Sequence, residues 1–171
     1  MTRANIIHAI SFFLHLFFQV IILKNAVLFQ TAFCFLYIAY LLLLPVETNP
    51  LILMLIGFVM GLFIDMFYDS LGLHALSCVL IMYFRNIWLS RLTPQGGYDI
   101  GAIPGVALSG LQWFLVYAVP IILVHHAVLF FTEAGGFQYF GYTLGKILGS
   151  TLYTTMVILI VQYLFPTGRR I

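Results

Sequence analysis

Two glycines followed by two aspartates in the middle of the chain are the first candidates for chemistry. Gly57, Gly61, Asp65 and Asp69 recur every four residues, so on an α-helix each lies only about 40° around the axis from the one before it. Carboxylates on such a face could serve acid–base catalysis or carry a proton through a membrane. Because an ionised aspartate facing lipid at mid-depth costs at least about 2.5 kcal/mol, we predict that this face contacts protein.

Two kinds of carboxylate chemistry can be compared with this spacing. An intramembrane aspartyl protease needs two carboxylates that converge from different helices and share one proton. Asp65 and Asp69 lie on the same predicted helix, and the third aspartate, Asp99, is predicted at the opposite membrane surface. A proton-coupled carrier that uses Asp65 would often have broken helices and repeated halves, which this sequence does not indicate. The spacing therefore favours neither chemistry.

Nucleophilic and metal-dependent chemistry is also disfavoured. The sequence has no G-x-S-x-G motif, and Ser109 has no histidine at a matching predicted depth. His125 and His126 are adjacent, so they lack the i, i+4 spacing of a metal-binding pair. Cys34 and Cys78 lie in apolar segments and form no C-x-x-C motif. We predict a protein that is not an enzyme and that uses no metal and no cofactor.

The composition indicates that the elements positioning these residues lie in a membrane. Of the 171 residues, 63% are hydrophobic and only 7% are charged, and the mean hydropathy is +1.11. Only helices and closed barrels satisfy every backbone group in lipid, and the apolar segments here are continuous, without the alternation of barrel strands. The sequence therefore predicts an all-α integral membrane protein. Its net charge of +2 is too small to indicate a nucleic-acid partner.

Polar and proline-containing breaks divide the chain into about six predicted transmembrane helices, within a single domain of residues 1 to 171. The predicted helices cover residues 6 to 23, 26 to 44, 51 to 68, 73 to 89, 104 to 131 and 143 to 165. The fifth is longer than one crossing requires, which predicts tilt, a kink at Pro120 or a first turn outside the hydrocarbon. Polar residues on one face of the first helix predict hydrogen bonds to neighbouring helices. They are His8, Ser11, His15 and Gln19.

The basic residues predict the orientation of these helices. One side of the membrane would carry Arg3, Arg85, Arg91, Arg169 and Arg170, and the other side Lys24 and Lys146. By the positive-inside rule both termini are then cytoplasmic, and the turn at residues 69 to 72 is external. Trp88, between Arg85 and Arg91, marks the cytoplasmic interface, where long arginine side chains can extend to water.

Glycine spacing also marks the last predicted helix. Gly141, Gly145 and Gly149 repeat every four residues, and small residues at this spacing let two helices approach closely. The neighbouring helix would belong either to the same bundle or to a partner protein.

Lys146 lies at a predicted depth that matches that of Asp65, each about one turn inside its helix from the external side. Either charge would be costly in isolation within the membrane. We therefore predict an ion pair between Asp65 and Lys146 inside the bundle. Glu133 is the alternative partner for Lys146, and Asp69 is the alternative to Asp65.

Two short motifs in and after the third predicted helix resemble the pattern of the MreD family of bacterial rod shape-determining membrane proteins. The motifs are Gly57-x-x-x-Gly61-x-x-x-Asp65 and Leu71-Gly72-x-His74-Ala75. The similarity extends over the whole chain in size and in the number of predicted helices. Ser70 stands where members of that family typically have a proline before the Leu-Gly pair.

The resemblance implies a non-enzymatic adaptor in the bacterial cytoplasmic (inner) membrane, part of the elongation machinery that builds side-wall peptidoglycan and maintains cell shape. It also implies a fold similar to the substrate-binding S components of vitamin transporters. The implied partners are MreC, RodA with its class B penicillin-binding transpeptidase and, through the complex, MreB. The residues expected to pack helices or to contact partners are Gly57, Gly61, Asp65, Asp69, Gly72, His74, Gly141, Gly145 and Gly149.

The same likeness leaves a second function open, a subunit that binds a small vitamin as S components do. Such a protein needs an outward-facing pocket with a few convergent polar groups. The candidate residues on the predicted external side are His74, Asp69, Glu133, Tyr139 and Lys146.

Overall fold

The structure is a computed structural model that describes residues 3 to 166. The elements are α1 (Arg3–Phe18), continued by a π-helical turn (Gln19–Leu23), β1 (Val27–Leu28), β2 (Ala32–Phe33), α2 (Tyr37–Leu42), α3 (Pro50–Tyr68), α4 (Leu73–Arg91), α5 (Val106–Glu133) and α6 (Phe140–Leu164). Arg169 and Arg170 of the predicted basic tail lie outside the described residues, as do the side chains of Arg3 and Ser109.

Within residues 3 to 166, five helical segments are long and apolar enough to cross a membrane. They are Ile6–Leu23, Pro50–Tyr68, Leu73–Arg91, Gly110–Glu133 and Phe140–Leu164. Each has at least the roughly 17 residues that a crossing requires. These helices confirm the predicted class, an all-α multi-pass membrane protein.

The prediction of a second transmembrane helix at residues 26 to 44 is wrong. This segment forms the short antiparallel hairpin of β1 and β2, an extended stretch and then α2, a helix of six residues. Its free backbone amides are satisfied by side chains of α6: the Phe33 N–H donates to Ser150 Oγ at 2.9 Å, and the Phe35 N–H donates to Thr154 Oγ1 at 3.1 Å. Non-helical backbone is tolerated at membrane depth when protein covers it, and most of residues 34 to 44 are buried.

This irregular segment still connects the two ends of the bundle. We call the end at residues 69 to 72 the turn end, and the opposite end, at residues 92 to 105, the loop end. Phe33 lies at the turn end, where its ring is 4.8 Å from Lys146 Nζ. The Val46 N–H donates to the Ala102 carbonyl at 2.9 Å, at the loop end. The segment therefore runs from one end of the bundle to the other, so α1 and α3 point in the same direction, and Lys24 after α1 contacts Phe67 near the end of α3.

The fifth helix bends at Gly110 and not at Pro120. Gly110 has φ 80° and ψ 164°, so its backbone separates the first turn of α5 from the rest of the helix. Glycine adopts this conformation without steric cost because it has no Cβ. Pro120 lies within the continuous part of α5, and the membrane-spanning part begins at Gly110.

Candidate functional site

The turn between α3 and α4 contains three residues with positive φ within four positions. Asp69 ends α3 with φ 53°, Leu71 has φ 48°, and Gly72 precedes α4 with φ 90°. The leucine side chain is fully exposed. An extra constraint is needed to hold such a turn, since non-glycine residues rarely adopt positive φ.

The Asp65 carboxylate supplies that constraint by capping α4 from the preceding helix. The backbone N–H of His74 donates to Oδ1 at 3.0 Å, and the N–H of Ala75 donates to Oδ2 at 2.9 Å. These two amides belong to the first turn of α4, where the backbone N–H groups have no carbonyl partners within the helix. A carboxylate at this position also faces the positive end of the helix dipole. The carboxylate is buried, and helix-end amides satisfy it without a lysine or an arginine.

Two side chains complete the hydrogen bonding of the carboxylate. Ser70 Oγ donates to Asp65 Oδ1 at 2.6 Å, and His74 Nδ1 lies 3.1 Å from the same oxygen. Ser70 Oγ and His74 Nδ1 are 2.8 Å apart. The serine therefore gives Asp65 a donor that a proline at this position could not provide.

The histidine ring presents a different atom on its other side. An Nδ1 proton directed at Asp65 leaves Nε2 as a hydrogen-bond acceptor in the neutral ring. His74 is 4% exposed, and its Nε2 atom has no hydrogen-bond partner among the described residues. Buried polar atoms usually have partners, so this nitrogen is an unused acceptor.

Gly57 and Gly61 lie where α3 and α4 touch. A Cβ atom added to Gly61 would lie 2.5 Å from the Ala75 N and 2.6 Å from the His74 O. A Cβ at Gly57 would lie 2.9 Å from Met82 Cγ and 3.0 Å from the Cys78 O. The two glycines thus allow close packing of helices within this chain, and they place Asp65 within reach of the start of α4.

The predicted ion pair between Asp65 and Lys146 is not formed in the structure. Lys146 Nζ donates instead to Glu133 Oε2 at 2.6 Å, across the connection from α5 to α6. The ammonium also lies 4.2 Å from the ring centre of Phe130, a cation–π contact. Asp65 has no need of a lysine because its oxygens already accept hydrogen bonds from α4 and Ser70. Similar depth on two helices was therefore an insufficient criterion for pairing.

Two adjoining cavities open beside this lysine at the turn end. The larger has a volume of about 510 Å³ and is lined by Phe130, Glu133, Ala134, Tyr139, Tyr142, Thr143 and Lys146. The smaller, about 90 Å³, shares Phe130, Glu133 and Lys146 with the larger and extends to Tyr68, Ser70 and His74. Four of the five predicted external-side candidates, His74, Glu133, Tyr139 and Lys146, line these cavities, whereas Asp69 lines neither.

The three glycines of α6 have different surroundings. Gly149 packs against the hairpin, since a Cβ added there would lie 3.3 Å from the Ala32 Cβ. Gly141 and Gly145 are exposed, and a Cβ at either would meet no atom within 4 Å. Of the two alternatives, Gly149 therefore fits contact within the bundle, and the other two glycines are free to face lipid or another protein.

Arg85 is a polar centre that the sequence did not reveal. It was predicted to extend to water at the interface, but the side chain is fully buried. Its Nε donates to Tyr117 Oη at 2.8 Å, its Nη2 donates to the carbonyl of Leu44, and the Tyr117 hydroxyl donates to the Leu42 carbonyl at 2.8 Å. The guanidinium thereby binds carbonyls at the end of α2, where the helix dipole is negative. The one sequence signal is an arginine placed more than a turn inside its predicted helix.

The remaining polar residues of the membrane region bond mainly within the bundle. Gln19 Nε2 donates to the Cys34 carbonyl at 3.0 Å and to Tyr68 Oη at 2.8 Å, as expected for a polar residue on that face of the first helix. His15 bonds instead to the Ser11 carbonyl of its own helix. His125 and His126 are both fully buried, and His125 Nε2 lies 2.8 Å from Tyr37 Oη.

The turn end therefore combines a closely packed helical hairpin with an adjacent charged and aromatic recess. Among residues 3 to 166, no group of three or more His, Cys, Asp and Glu side chains is arranged to hold a metal ion. Both oxygens of the Asp65 carboxylate bind α4, so this group serves to join the two helices. In comparisons with protein-family models, with curated proteins and with solved structures, the chain matches none.

Proposed function

We propose that this protein is a non-enzymatic membrane adaptor of the bacterial elongation machinery, which supports cell shape and side-wall peptidoglycan synthesis. The proposal rests on the resemblance of the residue 57 to 75 motifs to those of MreD proteins. One observation carries it: Gly57, Gly61, Asp65, Gly72 and His74 all serve to join α3 and α4 into one fixed hairpin. The Asp65 carboxylate and the Nδ1 side of His74 are thus occupied in joining the two helices.

A fixed hairpin suits an adaptor because partner helices need a surface of constant shape. The outer faces of α3 and α4 expose apolar side chains that the bundle does not use. They include Leu55, Phe58, Leu62 and Met66 of α3, and Leu76, Leu80, Tyr83 and Ile87 of α4. On α6, Gly141 and Gly145 add a small-residue face of the kind that allows close helix contact. The proposed neighbours are MreC and RodA with its class B penicillin-binding transpeptidase, and MreB through the complex.

The proposed location is the bacterial cytoplasmic membrane with the loop end in the cytoplasm. Arg91 lies at the loop end, and Lys24 and Lys146 lie at the turn end. Both lysines are engaged there, Lys24 with the Phe67 carbonyl at 2.5 Å and Lys146 with Glu133. In the sequence, Arg3, Arg169 and Arg170 flank the first and last helices on the same side as Arg91, and these four basic residues against two support this orientation through the positive-inside rule.

Depletion of the protein from its own rod-shaped host tests the function. Cells should become wide or spherical as side-wall synthesis loses its adaptor, and the protein should co-purify with bitopic and polytopic partners of the elongation complex. A plasmid copy carrying Val59→Leu should restore shape, because Val59 lies on the opposite side of α3 from Gly57 and Gly61, which meet α4. Depleted cells of normal width would reject the proposal.

A further inference from the structure

The two cavities at the turn end have the features of a built ligand site, independent of the adaptor function. Pockets for small molecules typically have volumes of roughly 300 to 1,000 Å³, and they are mostly apolar with a few polar groups that orient the ligand. The larger cavity, about 510 Å³, lies in this range, and its walls include three aromatic rings, those of Phe130, Tyr139 and Tyr142. The smaller recess, about 90 Å³, has room for only a few atoms beyond Lys146.

Lys146 is the group best placed to bind a charged ligand. Its side chain is 14% exposed, whereas that of its partner Glu133 is 52% exposed. The ammonium is fixed between the rings of Phe33 and Phe130, at 4.8 and 4.2 Å from their centres. The glutamate can therefore turn to solvent while the lysine stays in place. An anionic group that enters the cavity would take the position of the Glu133 carboxylate.

His74 adds a polar side chain to the lining of the smaller recess. Its Nδ1 side is held by Asp65 and Ser70, and its buried Nε2 atom has no hydrogen-bond partner within the part of the chain that the structure describes. A ligand hydroxyl or amino hydrogen would satisfy that acceptor. A buried nitrogen left without a hydrogen bond is costly, so a ligand that donates to it gains affinity.

We propose that the turn end binds a small amphiphile with an apolar or aromatic body, one anionic group and one hydrogen-bond donor. Lys146 binds the anion in place of Glu133, the rings of Phe130, Tyr139 and Tyr142 enclose the body, and His74 Nε2 accepts from the donor. Two kinds of molecule carry these groups: a water-soluble hydroxylated acid and an anionic glycerol lipid of the surrounding leaflet.

Binding is measured with one probe for each source on the purified full-length protein. The soluble probe is 4-hydroxyphenylacetate, titrated in detergent and followed by thermal unfolding. The lipid probe is phosphatidylglycerol, added to phosphatidylcholine nanodiscs and followed in the same way. A saturable rise in Tm in either titration supports the site and identifies its source, because a ligand that binds the folded state alone stabilises it. No saturable rise with either probe overturns the proposal.

Charge variants then separate this site from general attraction to the turn end. Lys146→Met should abolish the rise in Tm. Glu133→Gln should tighten binding roughly two- to fivefold, the equivalent of a partly exposed ion pair that no longer competes. Lys24→Met is the matched control, since Lys24 is the other lysine at this end and lines neither cavity, and it should bind as the unaltered protein does.

Two histidine variants test the recess. His74→Asn keeps a polar atom near the Nδ1 position and removes Nε2, so it should weaken binding of the probe several-fold. His74→Gln keeps a polar atom near the Nε2 position, so it should bind the probe more tightly than His74→Asn does. If Lys146→Met does not fold, the affinity of Glu133→Gln for the probe tests the assignment of the anion site. Unchanged affinity in Glu133→Gln, or an equal loss in Lys24→Met and Lys146→Met, would contradict the assignment.

Discussion

Replacement of Asp65 by asparagine should destabilise the protein although it preserves the size of the side chain. The carboxylate accepts from the amides of His74 and Ala75 through different oxygens. In asparagine one of these positions becomes an NH₂ group, so a donor faces a donor whichever way the amide is turned. One buried amide of α4 is then left without an acceptor.

The expected loss follows from the hydrogen bonds removed. A hydrogen bond to a charged group contributes about 1.5 to 3 kcal/mol, and an unsatisfied buried donor costs about 1 to 3 kcal/mol. These effects overlap, so we expect Asp65→Asn to lower the free energy of unfolding by about 2 to 4 kcal/mol. Asp65→Ala should lose more, because it removes both acceptors from the start of α4.

Unfolding in mixed detergent–SDS micelles, followed by fluorescence of Trp88 and Trp113, gives the free energy. Asp69→Asn is the control, since it makes the same chemical change four residues away. Asp69 is exposed and has φ 53°, a conformation that asparagine tolerates, so its effect should stay within about 0.5 kcal/mol. Equal stability of Asp65→Asn and Asp69→Asn would refute the assignment of Asp65 as the cap of α4.

A double-mutant cycle separates this cap from the ion pair predicted by matched depth. Asp65→Asn and Lys146→Met should be additive within about 0.5 kcal/mol, since the two side chains have separate partners. Glu133→Gln and Lys146→Met should couple by about 0.2 to 1 kcal/mol, as expected for a pair whose carboxylate is half exposed. Coupling above that range between Asp65 and Lys146 would restore the predicted pair.

Three further predictions address packing, the buried arginine and topology. Gly61→Leu should lower the folded yield and partner co-purification, because overpacking should cost at least about 1 to 3 kcal/mol of stability. Val59→Leu should retain the normal yield and co-purification. Equal yields of the two variants would exclude close helix approach as the role of the glycine. Arg85→Gln should lower the free energy of unfolding by at least about 2 kcal/mol in the same assay, because it leaves buried carbonyls without their donor. An unchanged free energy would contradict the described hydrogen bonds. With an impermeant thiol reagent on intact cells with a permeabilised outer membrane, cysteine at Gly135 should be labelled and cysteine at Gln95 protected; the reverse pattern would invert the proposed orientation.

The sequence was sufficient to predict the class and most of the membrane-spanning helices. Hydropathy and polar breaks located five of the six predicted helices to within a few residues of the observed ones. The spacing of Gly57, Gly61 and Asp65 also placed these residues on a face that contacts protein. These features are local, because a helix in lipid satisfies its own backbone and its boundaries follow from nearby residues.

The irregular crossing could not be predicted because its stabilising contacts are distant in the chain. An apolar run such as residues 26 to 44 fits both a helix and a buried non-helical segment. Hydroxyl groups on α6 satisfy backbone amides of the irregular segment, and Ser150 and Thr154 are 117 and 119 residues away from the amides they accept from. No short-range pattern reveals such a partner.

The buried charges were mispredicted for a related physical reason. Pairing by depth assumes that a charge in the membrane needs an opposite charge, but the ends of helices carry partial charges of their own. Asp65 lies at the positive start of α4, and Arg85 lies against the carbonyls at the end of α2. Both charges are thus stabilised by helix ends brought to them by the fold.

The same principle links the end of the second crossing to the bundle that surrounds it. The last four carbonyls of a helix have no partner within that helix, so the position at which α2 ends decides which carbonyls can accept from Arg85. Because the helix ends near Leu42, its last carbonyls are free to accept from Arg85 and from Tyr117. The end of α2 and the buried arginine therefore depend on each other, and a substitution that extends α2 beyond Leu42 should lower the free energy of unfolding in the detergent–SDS assay.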